Sequence, residues 1–213
     1  ISDTCEQAGV PYVSWSCDSP LISMYHESVY NACNYIFLFD KSSYLFFKAL
    51  GAANIWHLPL AVDTGRISHI LEHADDLKLY QNEISLVGSL YERNTYDRII
   101  PTLPQYLKGY FDCAIEAQMN ISGGNLIEQL LTDEILQELE QYYHLEKTER
   151  SFSDLRLIFA TTVLGLKVAK EQRRSCLLEL AKKHQVSIYT NSNTQDLLRV
   201  DYRGSVDYWT QMP

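Results

Sequence analysis

The amino-acid sequence predicts an α/β protein made of two successive blocks of parallel sheet, and three observations predict it. Tyr35-Ile36-Phe37-Leu38-Phe39 is a short continuous apolar run closed by Asp40, which suits a strand buried on both faces of a parallel sheet. A short helical pattern, Tyr44 to Leu50, separates this run from the strand-like Asn54–Leu58, which is the spacing of a βαβ unit. Two further runs, Ile84-Ser85-Leu86-Val87 and Val186–Thr190, repeat the strand signal later in the chain.

Taken in order, Val10–Cys17 is rich in β-formers and ends at the turn Asp18-Ser19-Pro20. Ser42 or Ser43 is placed to cap the helix after Asp40, and Gly51 to end it. Residues 61–82 are more polar and read as a connection. Beyond Ile84–Val87 the patterning from Thr95 to His184 is mostly helical. Tyr106, Gly109, Tyr110 and Cys113 are spaced for one face, and Thr132 is an N-cap with Asp133 and Glu134 in the favoured first turn. Ser151 or Ser153 starts a long segment to about Lys183, with Leu155, Phe159, Thr162, Leu166 and Ala169 on one stripe. A last strand is expected near Val200–Val206. The domain reading is a first block over 1–62, a linker over 63–82, and a second block over 83–213 that carries a large helical insertion at about 95–184. Such an insertion is long for a crossover, which mostly needs about a dozen residues.

Composition narrows the function classes. The chain has 213 residues, 46% of them hydrophobic, enough for a sizeable core. Its net charge of −9 repels phosphate backbones, so nucleic acid is not an expected partner. The one basic cluster, Lys167–Arg174 with Lys182 and Lys183, reads as a solvated helix face. No apolar run approaches the ~20 residues that span a bilayer, and no secretory layout opens the chain. Five scattered cysteines (Cys5, Cys17, Cys33, Cys113, Cys176) form no CxxC pair and read mostly as small core fillers in a reducing cytoplasm. The chain opens on Ile1 and closes on Asp207–Pro213 without a helix stop, as if cut at both ends.

Open parallel sheets bind ligands beyond the carboxyl ends of their strands, so the residues just after each strand are the candidate site. These are Asp18 and Ser19, Asp40, Gly88 with Ser89 and Tyr91, and Thr190 with Asn191 and Ser192. Each is also an ordinary turn former, and only their recurrence along one edge argues for a cleft. Gly88 has the clearest physical case, because a glycine after a buried strand lets a phosphate or sugar approach the backbone. Neither a GxGxxG fingerprint nor a P-loop surrounds it. His69 and His73, with Glu72, Asp75 and Asp76, could face a metal from one helix, but without HExxH they read as a solvated linker and no metal is expected. His57 reads as a satisfied core histidine, and the 15 tyrosines as stacking surfaces or routine core.

Four segments in order resemble the CgeB-like family, bacterial glycosyltransferases of the spore-maturation type with a preceding uncharacterised domain. They are Val10–Trp15 with Asp18-Ser19-Pro20, Tyr35–Asp40, His57–Asp63, and Ile84–Glu92. The similarity covers most of residues 10–98 and resumes more weakly over Val186–Pro213. It implies a GT-B fold: two Rossmann-like blocks, here incomplete at both ends, with the large helical insertion in the second. The first block would face the acceptor and the second the nucleotide-sugar donor. The implied chemistry is transfer of a sugar to an acceptor hydroxyl, without a metal or other cofactor. The implied substrate-binding residues are Asp18, Ser19, Asp40, Gly88, Ser89, Tyr91 and Thr190. No catalytic base is identified, and this piece alone would be inactive. The competing expectation is a non-catalytic sugar- or protein-binding module on the same fold, with the helical stretch as a possible platform for a protein partner.

Overall fold

The structure, a computed structural model, describes residues 1–73, 81–146 and 148–206. The chain divides into two compact units, Ile1–Val62 with Leu145–Ile158, and Asp63–His144 with Phe159–Pro213.

The first unit opens with helix α1 (Ser2–Ala8), followed by strand β1 (Tyr12–Ser16), β2 (Asn34–Leu38), helix α2 (Lys41–Ala49) and β3 (Ile55–His57). The strands pair in parallel in the order β1-β2-β3. Alternate residues Ile36, Leu38 and Ile55 point into a core with Met24, Val29, Phe47 and Ala52. The register places Val13 beside Tyr35, Trp15 beside Phe37, and Phe37 beside Trp56 on the opposite face. There Trp15, Tyr35 and Trp56 are 45%, 46% and 40% exposed, and Trp56 stacks with both Tyr35 and Phe37. A continuous apolar run was expected to mean burial on both faces; here the aromatic half of that run faces outward.

The second unit holds helix α3 (Thr64–His73), then β4 (Ile84–Val87), α4 (Thr95–Ile99), α5 (Gln105–Met119), α6 (Ile127–Leu130) and α7 (Asp133–Leu139). Helix α8 (Leu155–Ile158) closes the first unit's second segment. The chain continues through a π-helical turn, Phe159–Leu164, into α9 (Gly165–Leu180), and then β5 (Val186–Tyr189) and β6 (Val200–Tyr202). These strands are also parallel, in the order β4-β5-β6, over a core of Leu90, Leu177, Val186, Ile188 and Leu197.

This corrects the expected architecture. The protein is α/β, but it does not form two GT-B-type Rossmann-like blocks with a large helical insertion in the second. Among the described residues each sheet has three strands, whereas a full Rossmann sheet orders about six. Among the described residues there is no complete block for the helices to interrupt; they form the crossover between β4 and β5.

Several local expectations also change. The cap of α2 is Asp40, whose carboxylate accepts from Ser42 N and Ser43 N. On α5 the buried residues are Leu107, Phe111, Ala114, Ile115 and Gln118, one position away from the predicted Tyr106–Cys113 face. The predicted stripe through Leu155 and Phe159 continues as Val163, Leu164 and Val168, not as Leu166 and Ala169. A π turn takes more residues than an α turn, so each position beyond it is rotated off the 3.6-residue pattern. Gly165 follows that turn as the first residue of α9, and a Cβ there would stand 3.0 Å from the Ala160 carbonyl oxygen, tighter than an ordinary van der Waals contact. His57 is exposed and hydrogen-bonded to the Phe39 carbonyl, and Cys17, Cys113 and Cys176 are exposed, so none of these is a core filler.

The helical part of the basic cluster, Lys167–Arg174, is likewise not a plain solvated face, whereas Lys182 and Lys183 are exposed as expected. Lys167 and Lys170 both reach Asp97, with side chains 18% and 17% exposed, and Arg174 pairs with Asp196. Burial works to raise the Asp97 pKa, but Lys170, Asn94 and Lys167 outweigh it and bring it down to about 2. A depressed carboxylate contributes stability above its unfolded pKa and loses it as pH falls through the folded value. The melting-temperature gap between wild type and Asp97→Asn is thus expected to be full at pH 6. It should close between the ordinary value of 3.8 and about 2.

Candidate functional site

At the carboxyl ends of β4 and β5 the second unit forms a cleft of ≈ 490 Å³, lined among others by Gly88, Ser89, Tyr91, Glu92, Arg93, Thr190, Ser192 and Ser205. Its first wall is built as β4 stops. The Gly88 amide donates to the Tyr189 carbonyl at 3.0 Å, the last rung of the ladder. Gly88 then takes φ +144°, a conformation open to glycine, and turns the chain out of the sheet. Leu90 is fully buried and pins the turn, while its amide donates to Ser192 Oγ at 3.0 Å. Ser89 Oγ accepts from the Tyr91 amide, and Tyr91 sits at φ +55°. Asn94 secures the exit: its Nδ2 donates to the Tyr91 carbonyl and its Oδ1 caps α4 through the Asp97 amide.

The second wall follows β5. Thr190 is buried, its amide donates to the Gly204 carbonyl at 2.7 Å, and its Oγ1 accepts from Ser192 N. Arg173 from α9 lies against the Ser89–Tyr91 turn. Nη1 donates to the Ser89 carbonyl at 2.5 Å, and the guanidinium lies 4.5 Å from the Tyr91 ring centroid. The cleft thus joins hydroxyls, an aromatic ring, one arginine (Arg93) and one carboxylate. That carboxylate, Glu92, has its Oε1 buried without a hydrogen-bond partner among the described residues. Such a set can hold anionic and hydroxyl-bearing groups.

Four predicted residues, Gly88, Ser89, Tyr91 and Thr190, therefore come together in this cleft. The other three lie in the first unit, after β1 and β2. Asp40 Oδ2 accepts from Ser43 N, Ser43 Oγ and Ser19 Oγ at 2.8, 2.6 and 3.0 Å. The Ser43 hydroxyl is the main cause of a lowered Asp40 pKa, with the Ser43 amide and Ser19 adding to it against burial. Asp18 is exposed, and its backbone closes a turn on Ser16 Oγ. Asp40 is fully engaged as a helix cap. Asp40→Ala is expected to cost about 1 kcal/mol in denaturant unfolding, and Asp40→Ser to recover most of it. A loss within error of zero would contradict the capping role.

A second cavity of ≈ 310 Å³ lies in the first unit beside Ser14, Ser28 and Asn34. Two of its polar side chains engage one another: Ser2 Oγ donates to Asn34 Oδ1 at 2.6 Å, and Asn34 Nδ2 donates to the Ser28 and Val29 carbonyls. On α3 the His69 and His73 rings lie 4.1 Å apart, and His73 Nδ1 meets the His69 carbonyl. Asp75 and Asp76 lie outside the described residues, as does Asp207–Pro213. No group of three His, Cys, Asp or Glu is placed to hold a metal among the described residues. No helix among them is long and apolar enough to cross a membrane.

Sequence reasoning missed Arg173, Glu92 and Asn94. Arg173 is 84 residues from Ser89 and sits in a run whose other cations form structural ion pairs, so no local pattern marks it. The left-handed Tyr91 gave no composition signal either. Comparison of the chain with family models, with curated proteins and with solved structures returns no match. The resemblance to CgeB-like transferases rests on the quoted segments alone.

Proposed function

We propose that the second unit binds a nucleotide-sugar in the cleft at the ends of β4 and β5, and that the protein serves sugar transfer from that donor to an acceptor hydroxyl. The observation that carries this reading is the pairing of cationic and carboxylate groups in one polar cleft. Arg93 in the lining, with Arg173 held against the Ser89–Tyr91 wall, suits a diphosphate, and the unpartnered Glu92 Oε1 suits a ribose or sugar hydroxyl. Gly88 leaves the backbone open to close approach. In the chemistry proposed, the arginines stabilise the leaving diphosphate and the hydroxyls orient the sugar. The five free thiols accord with a cytoplasmic setting, which belongs to the same proposal.

A thermal-shift panel of nucleoside diphosphates and their sugar conjugates tests the reading. A ligand at about a hundred times its dissociation constant adds ~2.7 kcal/mol of stability. Selective stabilisation by one nucleotide family is expected. A flat panel on folded protein would count against a donor site and favour a module that binds sugar or protein without catalysis.

A further inference from the structure

Strand β1 inverts the alternation that burial dictates. Val13 and Trp15 are exposed, while Tyr12, Ser14 and Ser16 form its half-buried side. A strand with one covered face is expected to turn its apolar residues inward, as β2 does beside it with Ile36 and Leu38. The register sets Ser14 beside Ile36 and Ser16 beside Leu38, yet β1 contributes no residue to the first unit's core. The space that larger side chains would fill is the cavity of ≈ 310 Å³ beside Ser14, Ser28 and Asn34. Departures from a local folding rule concentrate at functional sites.

We propose that this cavity is a second binding site, and that its ligand is a small uncharged cyclic polyol with hydroxyls on one side and C–H groups on the other. The site lies wholly in the first unit and does not depend on the nucleotide-sugar reading. Its volume sits at the lower end of the ~300–1,000 Å³ of ligand sites, which suits a single ring. Hydroxyls reach it from Ser14 on β1, from Ser23 in the 3-10 turn Ile22–Met24 and from the Tyr12 phenol. Among the described residues these three make no side-chain hydrogen bond, so each is free both to donate and to accept. Ser28 Oγ is 2.9 Å from His26 Nδ1, and Asn34 is fully buried with both ends of its amide engaged, so these two form a fixed wall. Met24, Val29 and Ile36 give the apolar side that C–H groups would meet. No Asp, Glu, Lys, Arg or His lines the cavity among the described residues, although the chain carries 27 acidic residues and 18 lysines and arginines. A charged ligand would lose its hydration here and gain no counter-charge, which selects for a neutral one.

Amide chemical-shift titration with two uncharged probes, myo-inositol and methyl glucoside, tests the proposal on wild type, Ser14→Leu and Ser14→Ala. Glucuronate and glucosamine serve as the acidic and basic counterparts. Wild type is expected to bind at least one uncharged probe with a dissociation constant in the millimolar range or tighter, with shifts centred on Ser14, Ser28 and Asn34. Ser14→Leu fills the cavity and should weaken that binding by at least about tenfold, at a melting temperature equal to or above that of wild type. Ser14→Ala removes one hydroxyl and should weaken it by roughly two- to tenfold. If Ser14→Leu does not fold, Ser14→Ala carries the test. Unchanged affinity in the Ser14 variant tested would overturn the proposal. Binding of glucuronate or glucosamine as tight as that of the uncharged probes would overturn it too, because the lining would then not select for neutrality. Shifts centred on Gly88, Ser89 and Thr190 would place the polyol in the second unit's cleft, and no binding of either uncharged probe would leave the cavity a packing gap; each result overturns the proposal. A flat nucleotide panel would leave it standing.

Discussion

Gly88→Val is expected to reduce ligand binding to the second unit's cleft by at least about tenfold, while the protein still melts cooperatively. Space is not the obstacle, since the nearest atom to a Cβ at Gly88 is Arg173 Nη1 at 3.8 Å. The obstacle is φ +144°, which a β-branched residue holds only at a cost of about 1–3 kcal/mol. The chain relieves that cost by rotating the peptide after β4, which carries the Ser89 carbonyl away from Arg173 and the Tyr91 ring out of its stack. Gly88→Ala should act in the same direction with a smaller effect. Dissociation constants within about twofold of wild type, at unchanged melting temperature, would show that the turn is not part of the site.

Phe159→Ala is expected to have the largest effect on stability, about 3–5 kcal/mol. Phe159 is fully buried, with its ring 5.0 Å from that of Phe111 on α5 and 5.9 Å from that of Tyr143. It also sits on the π turn, whose irregular backbone leaves little freedom to collapse around a cavity. Against a domain stability of roughly 5–15 kcal/mol, this loss should lower the melting temperature by on the order of 10 °C. Phe159→Leu should cost much less. A shift of only a degree or two for the alanine variant would contradict the packing described.

The strands were legible as short runs of β-formers bounded by turn residues, and β4 matches its predicted span Ile84–Val87. The parallel pairing of β2 with β3 was legible from the helix between them, and the Thr132 cap of α7 from its own residue types. Sheet size was not. A run such as Tyr35–Phe39 says that a strand is apolar, not how many strands flank it or whether both faces are covered. Helix faces were legible only where the period holds; the π turn at Phe159–Leu164 broke it, and α5 presents the face next to the predicted one. Half of the candidate site could be read because Gly88, Ser89, Tyr91 and Thr190 lie directly after strands. Arg173 could not, because its role depends on a contact 84 residues away rather than on its neighbours.

Backbone amide chemical-shift mapping on titration with the nucleotide-sugar that stabilises the protein most is the direct test of the central claim. The account predicts perturbations concentrated at Gly88, Ser89, Tyr91, Glu92, Thr190 and Ser192, with the Arg173 side-chain N–H signals moving together with them. Perturbations centred instead on Ser14, Ser28 and Asn34 in the first unit, or none at saturating ligand, would contradict it.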